Sequence, residues 1–230
     1  TIQTVIGGQF TGQSLMNQQF SAIFFTGSYN TGKKIYKKAA AKMIKAQLEL
    51  GGKDPVYVYD DVDIKAYVLV YLQQTSEFYL SHFRAVRSIA DGAMYNTGQS
   101  CCSVERIYVH QNIYQEFCEE FVKEVQSFKV GDPMDPTTYI GPVAREAQLR
   151  VLEAQVADAL RKGAKLALGG KRIQQKGFWF EPTVLIDCTH SMNVVRRNVI
   201  IFVVVGIYSL PNEDARREFW SNNRHNENVW

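Results

Sequence analysis

The amino-terminal part of the chain alternates between short apolar runs and a helical spacing of apolar residues. The run 22–25 predicts a buried strand, and the polar turn 26–28 predicts the start of a helix. On that helix, Ile35, Ala39 and Met43 recur four residues apart and predict one apolar face. Further strands are predicted at 47–50 and 56–59. This strand–helix–strand alternation is typical of a parallel sheet covered by helices.

The rest of the chain continues the alternation. A helix that ends near Phe128 is predicted to begin at a capping box formed by Asn112 and Gln115. A second helix over 145–162 is predicted to end at Gly163. Its predicted apolar face comprises Leu149, Leu152, Val156 and Leu160. Other predicted elements are strands at 106–110, 165–168 and 183–186, and a last helix from an Asn212 cap through Trp220. The pattern as a whole predicts an α/β fold.

Composition is that of an ordinary globular protein. Of the 230 residues, 46% are hydrophobic and 21% are charged. The longest apolar run, 199–207, suits a buried strand and is shorter than the ~20 residues that span a bilayer. The first residues lack a basic-then-apolar signal pattern, and Thr1 in place of an initiator Met indicates an internal start. We therefore expect a cytoplasmic protein without a membrane partner, with an organelle matrix as the alternative compartment.

The net charge argues against a nucleic-acid site, and the spacing of the cysteines argues against a metal site. The net charge of +3 is too small to favour nucleic acid. The lysines of the first long helix are interpreted as a solvated face and not as a nucleic-acid patch; they are Lys33, Lys34, Lys37, Lys38 and Lys42. The four cysteines have no CxxC spacing and no His at zinc-like intervals, so we expect reduced thiols and no metal site.

Two short motifs carry the candidate chemistry. Residues 48–53 read Leu-Glu-Leu-Gly-Gly-Lys and place Glu49 near the end of an apolar, strand-like run. Residues 96–102 read Asn-Thr-Gly-Gln-Ser-Cys-Cys and place Cys101 on a polar turn. A thiol that attacks a carbonyl and a carboxylate that activates water are the two groups that covalent oxidation of an aldehyde requires. A surface-facing edge position is the alternative interpretation of Glu49.

A glycine-containing loop lies between the first strand and the first long helix. Gly27 and Gly32 bound this loop, and the free N–H groups at the start of a helix favour a bound phosphate. The Gly-x-x-x-x-Gly spacing differs from the GxGxxG of the usual dinucleotide fold. Taken alone, the loop is better interpreted as a plain strand–helix turn than as a phosphate site.

Several motifs, in one order along the chain, resemble the aldehyde dehydrogenase superfamily. The matching segments are 4–8, 25–28, 32–33, 48–53, 98–101, 106–109, 131–133, 141–142 and 180–183, and the resemblance fades after about Arg196. The resemblance implies a parallel-sheet catalytic domain over 51–230. It also implies that residues 1–50 are the last part of a Rossmann-like domain that binds NAD or NADP.

The resemblance implies oxidation of a small-molecule aldehyde to a carboxylic acid. Cys101 matches the nucleophile that forms a thiohemiacetal and then a thioester, and Glu49 matches the base that activates water. Glu49 also favours water over another acyl acceptor. The cofactor-binding positions carried over are Thr26, Gly27, Ser28, Gly32 and Leu50. Relatives form homo-oligomers, and Cys102, Cys118 and Cys188 are interpreted as structural.

One stretch departs from the family pattern. Glu49 and Cys101 are 52 positions apart, which exceeds the interval in the family by about 18 residues, or roughly five helical turns. The surplus lies around 67–87. It is interpreted as a lengthened helix, an extruded loop or, as a hypothesis, translated non-coding sequence. Transcripts that contain the codons for 68–87 in most copies would refute the last interpretation.

Other parts of the family pattern are not found in these residues. The first βα units, the residues that choose between NAD and NADP, and the asparagine of the oxyanion hole correspond to positions before Thr1. Residues 197–203 lack the glutamate and the Gly-Pro that relatives carry there. A catalytically inactive relative with a structural role is therefore the alternative to an enzyme, and we expect little turnover by these 230 residues alone. Robust turnover of propanal and NAD that Cys101→Ala abolishes would contradict that expectation.

Overall fold

The computed structural model describes residues 2–62, 68–70, 79–81, 85–195 and 204–210. The chain divides into two compact units, Thr1–Gly51 and Gly52–Trp230. The predicted helix from Asn212 through Trp220 and the segment 197–203 lie outside the described residues.

The first unit is a strand–helix–strand motif preceded by a short helix. Its elements are α1 (Gln9–Leu15), β1 (Ala22–Gly27), α2 (Tyr29–Ala41) and β2 (Lys45–Leu50). β1 and β2 pair in parallel, with Thr26 opposite Glu49 and Gly27 opposite Leu50. Both predicted strands and the helix between them are confirmed, and the crossover helix provides the connection that a parallel pair requires.

The predicted apolar face of α2 is wrong at one position. Ala39 is buried and Ile35 is half-buried, but Met43 is 93% exposed. The helix ends at Ala41, and Met43 has a φ of 54°, in the left-handed region. The four-residue spacing of apolar side chains therefore continues past the end of the helix, where it no longer describes a common face.

The second unit is built around a five-stranded sheet with the strand order β3-β6-β9-β8-β7. All neighbours pair in parallel except β7, which is antiparallel to β8. The strands are β3 (Asp54–Val58), β6 (Val104–His110), β7 (Lys165–Leu168), β8 (Thr183–Ile186) and β9 (Val204–Leu210). The helices are α3 (Ala85–Met94), α4 (Tyr114–Ser127) and α5 (Glu146–Arg161). The predicted α/β class with a mainly parallel sheet is confirmed.

Helices α3 and α4 pack on each other and on β6 through fully buried side chains. Phe117 and Phe121 of α4 stack with their ring centroids 5.7 Å apart, and Ile107 of β6 is likewise inaccessible to solvent. Helix α5 buries Leu149, Leu152 and Val156 as predicted, whereas Leu160 is 42% exposed. Leu160 lies in the last turn of α5, so the prediction of a core position there is wrong.

The predicted capping box at the start of α4 is also wrong. A short 3-10 turn, Gln111–Ile113, precedes the helix, and the ring Nδ1 of His110 accepts a hydrogen bond from the Asn112 backbone N–H at 3.4 Å. The Asn112 side chain donates instead to Asp60, and Gln115 donates to Glu119. The polar cap comes from a buried histidine that the sequence pattern did not single out.

The surplus segment between the two motifs contains a short antiparallel pair. Strands β4 (Val68–Val70) and β5 (Tyr79–Ser81) pair with each other, and the next helix in the described residues is α3 (Ala85–Met94). A helix lengthened through residue 68 is therefore wrong. Residues 71–78 and 82–84 lie outside the described part of the chain.

Candidate active site

Cys101 lies on a turn with an unusual backbone. Asn96 and Thr97 have φ values of 50° and 61°, and Gly98 has a φ of 66°, so three consecutive residues occupy the left-handed region. Residues other than glycine pay a steric cost there, and such strain persists only where neighbouring groups hold it in place. Cys101 itself is exposed, between this strained segment and the start of β6.

Side chains of the turn hold it to the segment 141–144. The Thr97 hydroxyl donates to the Gly141 carbonyl at 3.2 Å, and the Gly141 N–H donates back to that hydroxyl at 3.1 Å. The Gln99 side chain accepts from the Ala144 N–H at 2.8 Å and donates to the Pro142 carbonyl at 3.3 Å. These bonds hold the Cys101 turn to the Gly141-Pro142 segment through the side chains of Thr97 and Gln99.

The neighbouring thiol, Cys102, lies beside two hydroxyl groups. Its Sγ lies 3.3 Å from the Ser100 hydroxyl and 3.1 Å from the Tyr95 hydroxyl, and the two hydroxyls also bond to each other. Hydrogen bonds from Ser100 and then Tyr95 lower the pKa of the exposed Cys102 thiol. The interpretation of Cys102 as structural is not supported by its exposure. Sequence reasoning missed Tyr95, which lies one residue before the motif 96–102, and assigned no role to Ser100 within it.

We expect Tyr95→Phe to slow alkylation of Cys102 near neutral pH. Losing a hydroxyl that donates to the thiolate raises the pKa of Cys102, so a smaller fraction of the thiol is ionised near neutral pH. The rate of iodoacetamide alkylation against pH, in a Cys101→Ala background, measures this shift. Tyr36→Phe, at an exposed tyrosine of the first unit, is the matched control. A pH profile identical to that of the background protein would show that the hydroxyl has no such effect.

A buried ion pair lies directly beside the turn. Lys53 pairs with Glu105 of β6, and their side chains are 0% and 2% exposed. Desolvation raises the pKa of Glu105 to about 7 and lowers that of Lys53, in each case against the attraction of the partner. Immediately before Lys53, a Cβ on Gly52 would overlap the Cys101 carbonyl oxygen. The second half of the Glu-Leu-Gly-Gly-Lys motif therefore touches the turn that carries Cys101.

This pair makes the free energy of unfolding depend on pH. The folded pKa of Glu105, about 7, lies above its ordinary value of 4.5, so folding retains a proton that the unfolded chain releases. The stabilising contribution is complete below about pH 4.5 and is lost as the pH rises through about 7. Urea unfolding of the wild type and of Lys53→Met/Glu105→Gln, compared across this range, tests the prediction. A constant difference between the two proteins would count against it.

Glu49 lies near the end of β2, in the first unit. Its carboxylate is exposed and accepts a hydrogen bond from the Gln47 side chain at 3.2 Å, and its strand partner is Thr26. An exposed carboxylate has the access to water that a general base for hydrolysis requires. Cys101 belongs to the second unit.

The positions predicted to bind cofactor come together at the amino end of α2. Ser28 caps this helix: its hydroxyl accepts from the Thr31 N–H at 3.3 Å and donates to the Thr31 hydroxyl at 2.9 Å. Gly32 packs so closely against the Leu50 side chain that a Cβ atom added to Gly32 would overlap that side chain. Thr26 and Gly27 end the strand that leads into this loop. The free N–H groups and the positive end of the helix dipole would favour a negatively charged group at this end of α2.

A groove of about 910 Å³ adjoins the same helix within the first unit. It is lined by α1, β1 and the first turns of α2, including Gly8, Gly12, Phe25, Thr31 and Lys34. Sequence reasoning missed the contribution of α1, which carries no apolar periodicity and buries no residue. All the lysines of α2 and its carboxyl end are exposed, as expected for a solvated helix face.

The remaining candidate chemistry is limited. Cys118 and Cys188 are buried, and desolvation raises the pKa of each thiol to about 12, consistent with a structural role. The described residues contain no group of His, Cys, Asp and Glu side chains suited to a metal ion. None of the helices within the described ranges combines the length and apolar character that a membrane span requires.

Comparisons with known proteins identify the family of this chain. The sequence profile of the aldehyde dehydrogenase family matches residues 1–78 and 82–209. A 3,6-anhydro-alpha-L-galactose dehydrogenase of Vibrio sp. (strain EJY3) is 38% identical over 194 residues, which are 82% of this chain and 37% of that protein. A probable NADP(+) succinate-semialdehyde dehydrogenase of Sinorhizobium fredii is 35% identical over 188 residues, 81% of this chain and 35% of that protein.

A solved aldehyde dehydrogenase of Mycobacterium tuberculosis, complexed with NAD+, matches with a TM-score of 0.78 and 28% identity, over 91% of this chain and 40% of that one. Fold and site together define an α/β protein with a strand–helix–strand unit and a thiol-bearing second unit. This chain belongs to the aldehyde dehydrogenase family. It spans between 35% and 40% of the length of these relatives.

Proposed function

We propose that the protein is an oxidoreductase that converts an aldehyde to a carboxylic acid with NAD or NADP, and that Cys101 is its nucleophile. The observation that carries the proposal is the exposed Cys101 on a strained turn held by Thr97 and Gln99. We propose Glu49 as the base on the order of the two motifs along the chain.

The proposed mechanism uses one thiol and one carboxylate. The Cys101 thiolate adds to the aldehyde carbonyl carbon and forms a thiohemiacetal. NAD or NADP, when bound, supplies the hydride acceptor, and Cys101 is left as a thioester. Glu49 then takes a proton from water, the resulting hydroxide attacks the thioester carbonyl, and the carboxylic acid leaves as the Cys101 thiolate is restored.

The first unit fits the phosphate-bearing part of such a cofactor. The amino end of α2 offers backbone donors beside Ser28, and Gly32 lets the helix lie close to Leu50. Thr31 of the same helix lines the groove of about 910 Å³. Relatives include a protein complexed with NAD+ and one named for NADP(+), so we propose either nucleotide. We also propose residues 1–50 as the closing part of the cofactor domain and 51–230 as part of the catalytic domain.

Ser28→Ala is expected to weaken binding of NAD and of NADP by roughly two- to fivefold, because an uncapped amino end orders its donors less well. Isothermal titration calorimetry of the 230-residue chain measures this change, and we expect binding by the unmodified chain to be weak. Ser127→Ala, at the opposite kind of helix end in α4, is the matched control. Equal affinities for both variants would argue against a phosphate at α2.

A non-catalytic relative is the second candidate, favoured by the absence of the family's glutamate and Gly-Pro from residues 197–203. Incubation of the chain with propanal and either nucleotide, followed by the absorbance of the reduced cofactor, distinguishes the two. Reduction that requires Cys101, shown by its loss in Cys101→Ala and its retention in Cys102→Ser, supports the oxidoreductase. A folded chain that binds nucleotide but yields neither reduced cofactor nor an acylated Cys101 supports the second candidate.

A further inference from the structure

Three contacts join residues 52–53 to the chain around the nucleophile. Gly52 packs against the Cys101 carbonyl so closely that no side chain fits. Lys53 forms its buried ion pair with Glu105. The Arg106 guanidinium Nε donates a hydrogen bond to the Lys53 carbonyl at 2.8 Å. Residues 52–53 are therefore held at the Gly52 backbone, at the Lys53 side chain and at the Lys53 carbonyl.

The pairing of the flanking strands adds a fourth restraint. Asp54 of β3 is the register partner of Val104 in β6, and the ladder shifts immediately afterwards, between Asp54 and Pro55. The strand pairing is therefore irregular where it approaches the nucleophile turn. Side chains beside this point have to supply the geometry that a regular ladder would otherwise impose.

Stability is a poor explanation of the Lys53–Glu105 pair. Both side chains are almost completely removed from water, and the desolvation of two charges commonly offsets their mutual attraction. The raised pKa of Glu105 and the lowered pKa of Lys53 have the same cause. A pair of apolar side chains would commonly stabilise such a position as well or better. The ion pair instead provides a defined geometry, because it fixes the distance between two specific atoms.

We propose that Lys53 and Glu105 are positioning residues for the Cys101 nucleophile. Their ion pair holds the Gly52 backbone against the Cys101 carbonyl and so fixes the turn that presents the thiol. Neither side chain contacts the substrate in this role. The role in catalysis rests on the proposed function, whereas the restraint on the turn does not.

Lys53→Met/Glu105→Leu separates positioning from stability. The double variant removes both charges and keeps an apolar pair, so we expect its urea unfolding midpoint to remain close to that of the wild type or above it. Two readouts are then compared with the wild type. The first is hydrogen exchange of the backbone amides at 100–104, with the amides of α5 as the internal reference. The second is the rate at which p-nitrophenyl acetate acylates Cys101.

We expect faster exchange at 100–104 in the double variant, with α5 unchanged, and acylation of Cys101 slower by roughly 10- to 100-fold, the range that misplacement of a reacting group produces. Lys129→Met, which breaks the exposed ion pair with Asp135, is the control and should change neither readout. The single variants Lys53→Met and Glu105→Gln should show both effects together with a lower unfolding midpoint.

Unchanged exchange at 100–104 in a folded double variant would overturn the proposal, as would acylation of Cys101 at the wild-type rate. A different outcome identifies failure of the proposed function. If p-nitrophenyl acetate does not acylate Cys101 in the wild type, while the amides at 100–104 still exchange faster in the double variant, the restraint on the turn stands and the oxidoreductase mechanism fails. The two ideas are therefore tested separately by the same samples.

Discussion

Cys101→Ala is expected to abolish the burst of p-nitrophenol that the wild-type chain releases from p-nitrophenyl acetate. The activated ester tests the thiol without a bound nucleotide, because attack by Cys101 releases the phenol and leaves an acetyl thioester. Cysteine is an intrinsically strong nucleophile, and no other exposed group on this turn replaces it except Cys102. Loss of the nucleophile removes the covalent step altogether, so the expected effect is larger than that of any other single change.

Stopped-flow absorbance measures the burst, whose amplitude should approach one phenol per chain in the wild type and zero in Cys101→Ala. Cys102→Ser is the matched control, since it removes the adjacent exposed thiol and keeps Cys101. A burst that survives in Cys101→Ala and disappears in Cys102→Ser would assign the nucleophile to Cys102. That result would also indicate that the hydroxyls of Tyr95 and Ser100 activate the Cys102 thiol.

Phe121→Ala is expected to lower the free energy of unfolding by about 3–5 kcal/mol, the usual cost of truncating a fully buried phenylalanine. Phe121 is inaccessible to solvent and stacks on Phe117 within the core that supports β6 and the Cys101 turn. The loss comprises the transfer free energy of the ring and the cavity that remains. Acylation of Cys101 should fall as well, in proportion to the unfolded fraction.

Urea unfolding at fixed pH measures this effect. Phe178→Ala, at a position that is 38% exposed, provides a matched control with an expected change of roughly 1 kcal/mol or less. Equal losses at the two positions would contradict the assignment of the core.

Much of the fold could be predicted because hydrophobic periodicity reports directly on which face of an element is buried. The strands at 22–25 and 183–186 and the buried face of α5 at Leu149 and Leu152 follow from it. Errors occur where an element ends. Met43 and Leu160 keep the spacing of the helix but lie beyond or at its last turn, where the backbone turns away from the core.

The site was predictable only as far as its motifs extend. Ser28 and Gly32 follow from the requirements of a helix amino end, and Gly32 lies against the Leu50 side chain. The supporting contacts were not predictable. The bond from Thr97 to Gly141 and the pair of Lys53 with Glu105 join residues that are 44 and 52 positions apart. No local pattern encodes such partners, because only the packed sheet brings them together.

Glu49→Gln gives the most direct test of a thiol and a carboxylate acting in one reaction. After exposure to p-nitrophenyl acetate, this variant should release the first phenol normally and then hydrolyse its thioester about 10²–10⁴-fold more slowly, the range that a general base supplies. Peptide mapping by mass spectrometry is predicted to find the trapped acetyl group on Cys101. An acetyl group that turns over at the wild-type rate, or that resides on another residue, would contradict the account.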